Sequence, residues 1–252
     1  MIEEFERSQL LLGRASINKM QDAKVAVFGL GGVGSFTAEA LARTGVGTIL
    51  LIDNDIVCKS NINRQIVALQ STVGMYKADV MKERIYDINP NTKVEVYKMF
   101  FLPGDTTIDL KSCDYVVDAI DTISAKIGLA EYCSKEGIPL ISAMGCGNRL
   151  DPTKFVVTDI NKTYNCPMCK VVRHELRKRR VRKLKVVFST ENTANREEFT
   201  QSDKDSRDTE APQALNGGKR RQTPGSLGFV PSVAGLILAQ QVVMGLTEGL
   251  RP

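Results

Sequence analysis

The sequence predicts an α/β protein: a Rossmann-like, doubly wound and mainly parallel sheet with a small C-terminal β/α extension. Three observations lead there. Apolar runs of strand length alternate with amphipathic stretches of helix length over the first 143 residues, the rhythm of crossover connections between parallel strands. The first run, Val25-Ala26-Val27-Phe28, leads into Gly29-Leu30-Gly31-Gly32-Val33-Gly34-Ser35 and then a helix, the order in which a glycine turn presents backbone N–H groups to a phosphate. The second run, Leu50-Leu51-Ile52, ends on Asp53, a carboxylate placed to accept hydrogen bonds from a ribose.

Residues 4–19 read as an amphipathic helix broken near Gly13. Strands are expected at 24–29, 48–53, 92–97, 114–119 and 138–143, with helices at about 32–44, 74–89 and 122–137. Gly45 and Gly47, Asn89-Pro90, and Gly137 before Pro139 mark the helix stops. Beyond Asp151-Pro152 the rhythm changes. Short strands at 155–157 and 186–188 flank a basic helix at about 166–181. The stretch 192–222, polar and poor in apolar residues, reads as a mobile loop. The segment 222–247 carries no charge. Two prolines, two serines and Gln240-Gln241 interrupt it, so it reads as a core or dimer-facing helix and a membrane span is not expected. The organisation is thus a nucleotide-binding domain over 1–160, with the basic helix, loop and last helix of 161–252 packed on it.

Of 252 residues, 42% are hydrophobic and 25% charged, ordinary values for a globular protein. The opening residues are acidic and lack the apolar stretch of a secretory leader, and most of the six cysteines sit singly in apolar surroundings; both lead to an expectation of a reducing cytoplasm. The net charge of +5 is unevenly spread. Nine of the sixteen residues from 170 to 185 are Lys or Arg, opposed only by Glu175. Lys170, Arg173, Arg177, Lys178, Arg180, Arg182 and Lys183 therefore form a candidate RNA-binding face, more cationic than a solvated helix needs. His174 belongs to that face and is not read as a catalytic base.

A glycine-rich turn alone says only that a nucleotide binds. The polar run Ser60-Asn61-Ile62-Asn63-Arg64-Gln65, just past Asp53-Asn54-Asp55, says more, because a nicotinamide site has no use for it. Arg64, with Lys77 at the head of the next helix, supplies the positive charge that a triphosphate requires. The next strand ends Asp118-Ala119-Ile120-Asp121, at the edge where open α/β sheets place ligands. Asp121 is the candidate Mg²⁺ ligand, since Mg²⁺ commonly takes one or two carboxylates plus phosphate oxygens. For Asp118, a metal role and a helix-capping role stand side by side.

These spaced motifs resemble the ubiquitin-activating-enzyme-like superfamily of ThiF and MoeB proteins over about residues 4–160. Adding Ala40 to Gly47, Asp151-Pro152-Thr153 and Val186 to Glu191, the whole length is similar to its tRNA threonylcarbamoyladenosine dehydratase family. The resemblance implies ATP and Mg²⁺ as cofactors. Gly29, Gly31, Gly32 and Gly34 would hold the nucleotide and Asp53 its ribose. Ser60, Asn61, Arg64 and Lys77 would contact the phosphates, with Asp55, Asn63 and Gln65 in the same motif, and Asp121 would support the metal. It further implies a homodimer in which Arg7 reaches the partner subunit's nucleotide, and a reaction in which the threonyl carboxylate is activated, by analogy as an acyl-adenylate, before ring closure with net loss of water.

Two departures matter. Zinc-bearing members carry two Cys-x-x-Cys pairs, whereas here Cys166-Pro167-Met168-Cys169 stands alone. A pair of reduced thiols at a helix start is the default reading; zinc shared between subunits and a redox pair are the alternatives. No cysteine follows Cys169, so a late thioester or persulfide is excluded unless this pair or a sulfur-relay partner supplies it. Two other functions compete: adenylation of a ubiquitin-like carrier protein's C-terminus, as in thiamine or molybdopterin synthesis, and a non-catalytic ATP- and RNA-binding module. A nicotinamide dehydrogenase is the weakest reading.

Overall fold

A computed structural model describes residues 3–192 and 224–252. Nearly all of the loop expected at 192–222 falls outside these residues. Seven strands form one sheet: β1 (Lys24–Phe28), β2 (Thr48–Ile52), β3 (Lys93–Tyr97), β4 (Tyr115–Asp118), β5 (Leu140–Ala143), β6 (Phe155–Asp159) and β7 (Lys185–Ser189). Their order is β3-β2-β1-β4-β5-β7-β6, with every pairing parallel except that of β6 with β7. The expected doubly wound fold is therefore present. Because β7 inserts between β5 and β6, the C-terminal segment completes the same sheet.

The inner strands are buried on both faces, which is why β1, β2 and β4 read as almost uninterrupted apolar runs. One core layer joins Val25, Val27, Ile49 and Leu51 to helices α3 (Gly34–Arg43) and α7 (Phe229–Leu246). The opposite layer sets Phe28, Leu50 and Val116 against α5 (Ile123–Glu136), with Phe101 edge-on to Phe28 at 5.0 Å. α1 (Glu6–Leu12) and α2 (Arg14–Asp22) meet at Gly13, the expected break. α4 (Lys77–Ile88) connects β2 to β3, and α6 (Pro167–Lys178) carries much of the basic segment.

The last helix is long and apolar enough to cross a membrane, yet half of it is buried in the fold. It crosses α3 at close range. A Cβ on Gly235 would lie 2.3 Å from the Val33 carbonyl, and Thr37 Oγ1 donates to the Gly235 carbonyl at 2.9 Å. Two helices begin later than the sequence suggests. α3 starts at Gly34 because the preceding glycines are spent on a turn, and α4 starts at Lys77. α6 stops at Lys178, and Arg180 then turns the chain with φ +60°.

Candidate active site

The site lies where the strand order reverses, between β1 and β4, at their carboxyl ends. Strand crossovers on either side of this point run to opposite faces and leave a crevice between their loops. A cavity of about 640 Å³ opens there, within the usual range for small-molecule sites.

Its floor is the glycine turn. Gly29 takes φ +84°, and a Cβ there would sit 2.8 Å from the Ala119 carbonyl, so only glycine fits between the two strand ends. Gly31 and Gly32 line the cavity, and no side chain caps α3 behind them. The Ser35 amide is taken by the Gly31 carbonyl at 3.2 Å, which leaves the Gly34 and Phe36 N–H groups of the first turn without a protein acceptor and free for an anion. Gly34 is not a lining residue. A Cβ there would meet the Gly29 carbonyl at 1.8 Å, so this glycine lets the helix press against the turn and serves the site through packing.

Asp53 enters from the end of β2. Its Oδ2 accepts from the Leu30 amide at 2.6 Å and its Oδ1 from the Asp55 amide at 2.8 Å. Burial pushes this carboxyl above its ordinary range; the Leu30 amide and the charge of Lys77 oppose the shift. Each oxygen keeps a lone pair for a hydroxyl donor. Lys77 is buried, lines the cavity and pairs with Asp55 at 2.7 Å.

Arg64 lines the mouth. Its Nη1 donates to the Ser60 carbonyl at 2.7 Å and to Asn63 Oδ1 at 2.9 Å, and among the described residues it has no carboxylate partner. Asn61 and Gln65 also line the cavity, and Gln65 Oε1 is buried without a hydrogen-bond partner. An orphaned buried acceptor costs free energy unless a ligand or water answers it.

The other members of the motif do not reach the cavity wall. Ser60 is exposed and offers Arg64 only its carbonyl. Asn63 braces Arg64 and donates its Nδ2 to the Ser226 carbonyl at 3.0 Å, tying the loop to the C-terminal segment. Arg7 is exposed on α1 and lines no part of the cavity within this chain.

The two aspartates at the end of β4 and just beyond it part company. Asp121 is exposed and lines the cavity; the first turn of α5 is preceded by Thr122, so Asp121 is not its cap. Its only side-chain contact among the described residues is a long one, 3.4 Å from Thr122 Oγ1, which leaves its oxygens open toward the cavity. Asp118 faces the interior and corrects both roles expected for it. It is 1% exposed, paired with Lys126 at 2.9 Å and bonded by Ser142 Oγ, so it neither caps a helix nor meets a ligand.

Three parts of the wall escaped the sequence reading: Met99 to Phe101 after β3, Met144 to Gly147 after β5, and Pro224, Ser226 and Pro231 from the C-terminal segment. The first two follow parallel strands, and the rule that ligands sit at such ends was the available signal.

On the basic segment, Arg173 also corrects an expectation. Its guanidinium turns inward to the Thr163 carbonyl (2.9 Å) and hydroxyl (2.7 Å). Lys178 and Arg179 are engaged by Glu175, and Arg177 is 3.4 Å from Asn161 Oδ1. Lys170, Arg180, Arg182 and Lys183 stand exposed with no carboxylate partner among the described residues.

The sequence profile of the ThiF family matches residues 5–249. The chain belongs to the ThiF family. The resemblance seen in the motifs thus extends over nearly the whole chain. Within this family it is 45% identical to the tRNA threonylcarbamoyladenosine dehydratase of Bacillus subtilis (strain 168), covering 99% of this chain and 97% of that one. It is 44% identical to the dehydratase of the same name from Escherichia coli (strain K12), over 69% of this chain and 66% of that protein. The structure of E. coli TcdA, a tRNA N6-threonylcarbamoyladenosine dehydratase, in complex with AMP superposes with a TM-score of 0.81 at 35% identity. It covers 97% of this chain and 94% of that one. The ATP complex of TcdA gives 0.79 at 34% identity, with 97% and 93% covered. These ThiF-family relatives place nucleotide complexes on the same fold.

Proposed function

We propose that this chain catalyses ATP-dependent dehydration of threonylcarbamoyladenosine in tRNA beside the anticodon, closing a ring through the activated threonyl carboxylate. The observation that carries this reading is the near end-to-end similarity to a curated dehydratase. The site chemistry supports it. The glycine turn and the head of α3 offer N–H donors to phosphates, Asp53 offers acceptors to the ribose, and Arg64 and Lys77 offset the charge that builds as the carboxylate oxygen attacks phosphorus. The attack breaks a phosphoanhydride bond and releases pyrophosphate or ADP. When the carbamoyl group loses a proton and closes the ring on the carbonyl carbon, the carboxylate oxygen departs with the AMP or phosphate it joined, which accounts for the net loss of water. No side-chain nucleophile is needed.

Asp121 fits Mg²⁺ on the chemistry of its open carboxylate in the same cavity. When bound, Mg²⁺ would neutralise phosphate charge; the chain's own residues orient the two reactants. A homodimer is supported by an apolar hollow between α1 and α7, lined by Leu11, Leu12, Val243 and Met244, with Leu10 and Leu11 each 80% exposed. Arg7, on the same α1, would then serve the partner subunit's nucleotide. The reading places the reaction in the cytoplasm.

The test is nucleoside mass spectrometry of tRNA bearing threonylcarbamoyladenosine after incubation with the protein, ATP and Mg²⁺ under mild conditions. ATP-dependent loss of one water from that nucleoside supports the reading. An unchanged nucleoside on bound, competent tRNA sinks it and turns attention to pyrophosphate exchange with carrier proteins.

The exposed cations Lys170, Arg180, Arg182 and Lys183 would hold the tRNA. Replacing Arg182 and Lys183 together by Gln is expected to weaken tRNA binding about ten-fold at moderate salt. The slope of log K against log salt should become shallower by roughly 1 to 2, since each lost phosphate contact releases about one counterion fewer. Filter binding across a salt series measures both; an unchanged slope places the RNA elsewhere.

A further inference from the structure

Behind the cavity wall, the single Cys-x-x-Cys pair has a chemistry that the proposed reaction does not use. Cys166 precedes the first turn of the twelve-residue helix α6, and its sulfur accepts from the Cys169 amide at 3.5 Å. Both thiols are free and buried; Cys166 keeps 7% exposure and Cys169 none. Positions i and i+3 of a helical turn bring two Cα atoms within the range that a disulfide spans.

A second, independent observation comes from Arg149. This arginine is 2% exposed, and its Nη2 donates to the carbonyl of Asn165, the residue before Cys166. Its Nε and Nη1 are buried with no hydrogen-bond partner, and among the described residues no carboxylate pairs with it. A buried guanidinium needs an anion, because an uncompensated charge out of water is costly. Asn165 adjoins Cys166 in the chain, so the guanidinium's charge bears on the Cys166 sulfur and also on Cys146. Of the two, Cys166 is the one with an amide donor from the helix turn to hold a thiolate.

We propose that Cys166 and Cys169 form a redox-active dithiol, with Cys166 the nucleophilic thiolate and Cys169 the resolving thiol. A small peroxide is the oxidant class that suits so enclosed a sulfur. The Cys166 thiolate attacks one peroxide oxygen, the O–O bond breaks, and the departing hydroxide takes a proton to leave as water. Cys166 is then a sulfenic acid, oxidised by two electrons. Cys169 loses its proton and attacks that sulfur; the S–O bond breaks, a second water leaves and a disulfide forms. In sum, two thiols and one peroxide become one disulfide and two waters.

The environment agrees. The hydrogen bond from the Cys169 thiol, together with the Cys169 and Gly145 amides and the Arg149 charge, lowers the Cys166 thiol to about 5 against the opposing effect of burial. The Cys169 thiol, which donates that hydrogen bond and would face a neighbouring anion, is shifted upward. Burial pushes Cys113 to about 11, and Cys133 and Cys146 to about 12, so these act as internal comparisons. The dithiol is independent of which reaction the cavity runs, although Gly145 and Met168 belong to that cavity's wall.

The test exposes the whole folded protein to micromolar hydrogen peroxide, then quenches, denatures, alkylates and maps the cysteines by mass. The peptide holding Cys166 and Cys169 should lose two hydrogens and resist alkylation, at a rate at least about ten-fold above any oxidation of Cys113 or Cys133. That rate should stay level across neutral pH rather than climb through the ordinary thiol range near about 8.5. In Cys169→Ser the same peptide should instead gain oxygen at Cys166. Oxidation no faster than at Cys133, or a Cys169→Ser variant that behaves like the parent, overturns the proposal.

Discussion

Replacing Arg64 with alanine is expected to slow ATP-dependent dehydration by about 10²- to 10³-fold, the usual consequence of losing one preorganised donor aimed at developing charge. The structure shows why this cation outweighs its neighbours. Lys77 already faces Asp55, so part of its charge is spent within the protein. Arg64 is held by a carbonyl and an amide oxygen, both neutral, which aim the guanidinium at the cavity mouth without cancelling it. Its loss should cost little stability, since only two hydrogen bonds on an exposed loop disappear. Single-turnover kinetics on modified tRNA read the effect, with tRNA affinity expected to stay within about two-fold because the basic face lies on other elements. Arg64→Lys should recover only part of the rate, as an ammonium keeps the charge and loses the fork. Near-parental turnover in Arg64→Ala would remove Arg64 from the reaction.

The second large effect concerns stability. Asp118→Ala should cost about 3 to 5 kcal/mol, the range for breaking a buried ion pair from one side. Asp118 and Lys126 are each 1% exposed and 2.9 Å apart, and Ser142 also bonds to Asp118, so one carboxylate ties β4 to α5 and β5. Its removal strands the Lys126 ammonium in the core. For a chain this size the melting temperature should fall by roughly 6 to 20 °C. Asp118→Leu combined with Lys126→Met should lie closer to the parent, because no charge is then left unpaired. A loss under about 1 kcal/mol in the single variant would mean that water reaches the lysine.

These two residues also mark how far the sequence could be read. Arg64 was legible because its neighbours in sequence are its neighbours in space: Asn61, Gln65 and Asp55 all come from one connection after β2. Asp118 was not legible. It sits three residues from Asp121 in a run that offers both acids to the same strand edge, and only the pleat and the place of α5 turn one inward to Lys126 and leave the other at the cavity. Arg173 failed for a similar reason. The helical pattern placed it among the cations, while the carbonyls that claim it belong to the turn at 160–163.

By itself the sequence determined the doubly wound sheet, the glycine turn, the triphosphate-directed cations and the family, because each rests on local periodicity or on motifs contiguous in the chain. Tertiary structure alone decided that Gly34 serves packing, that residues after β3, β5 and the 224–231 segment close the cavity, and that Arg149 holds the carbonyl next to Cys166. Those facts depend on which strand ends and helix heads meet across the sheet, a long-range geometry that no local pattern encodes.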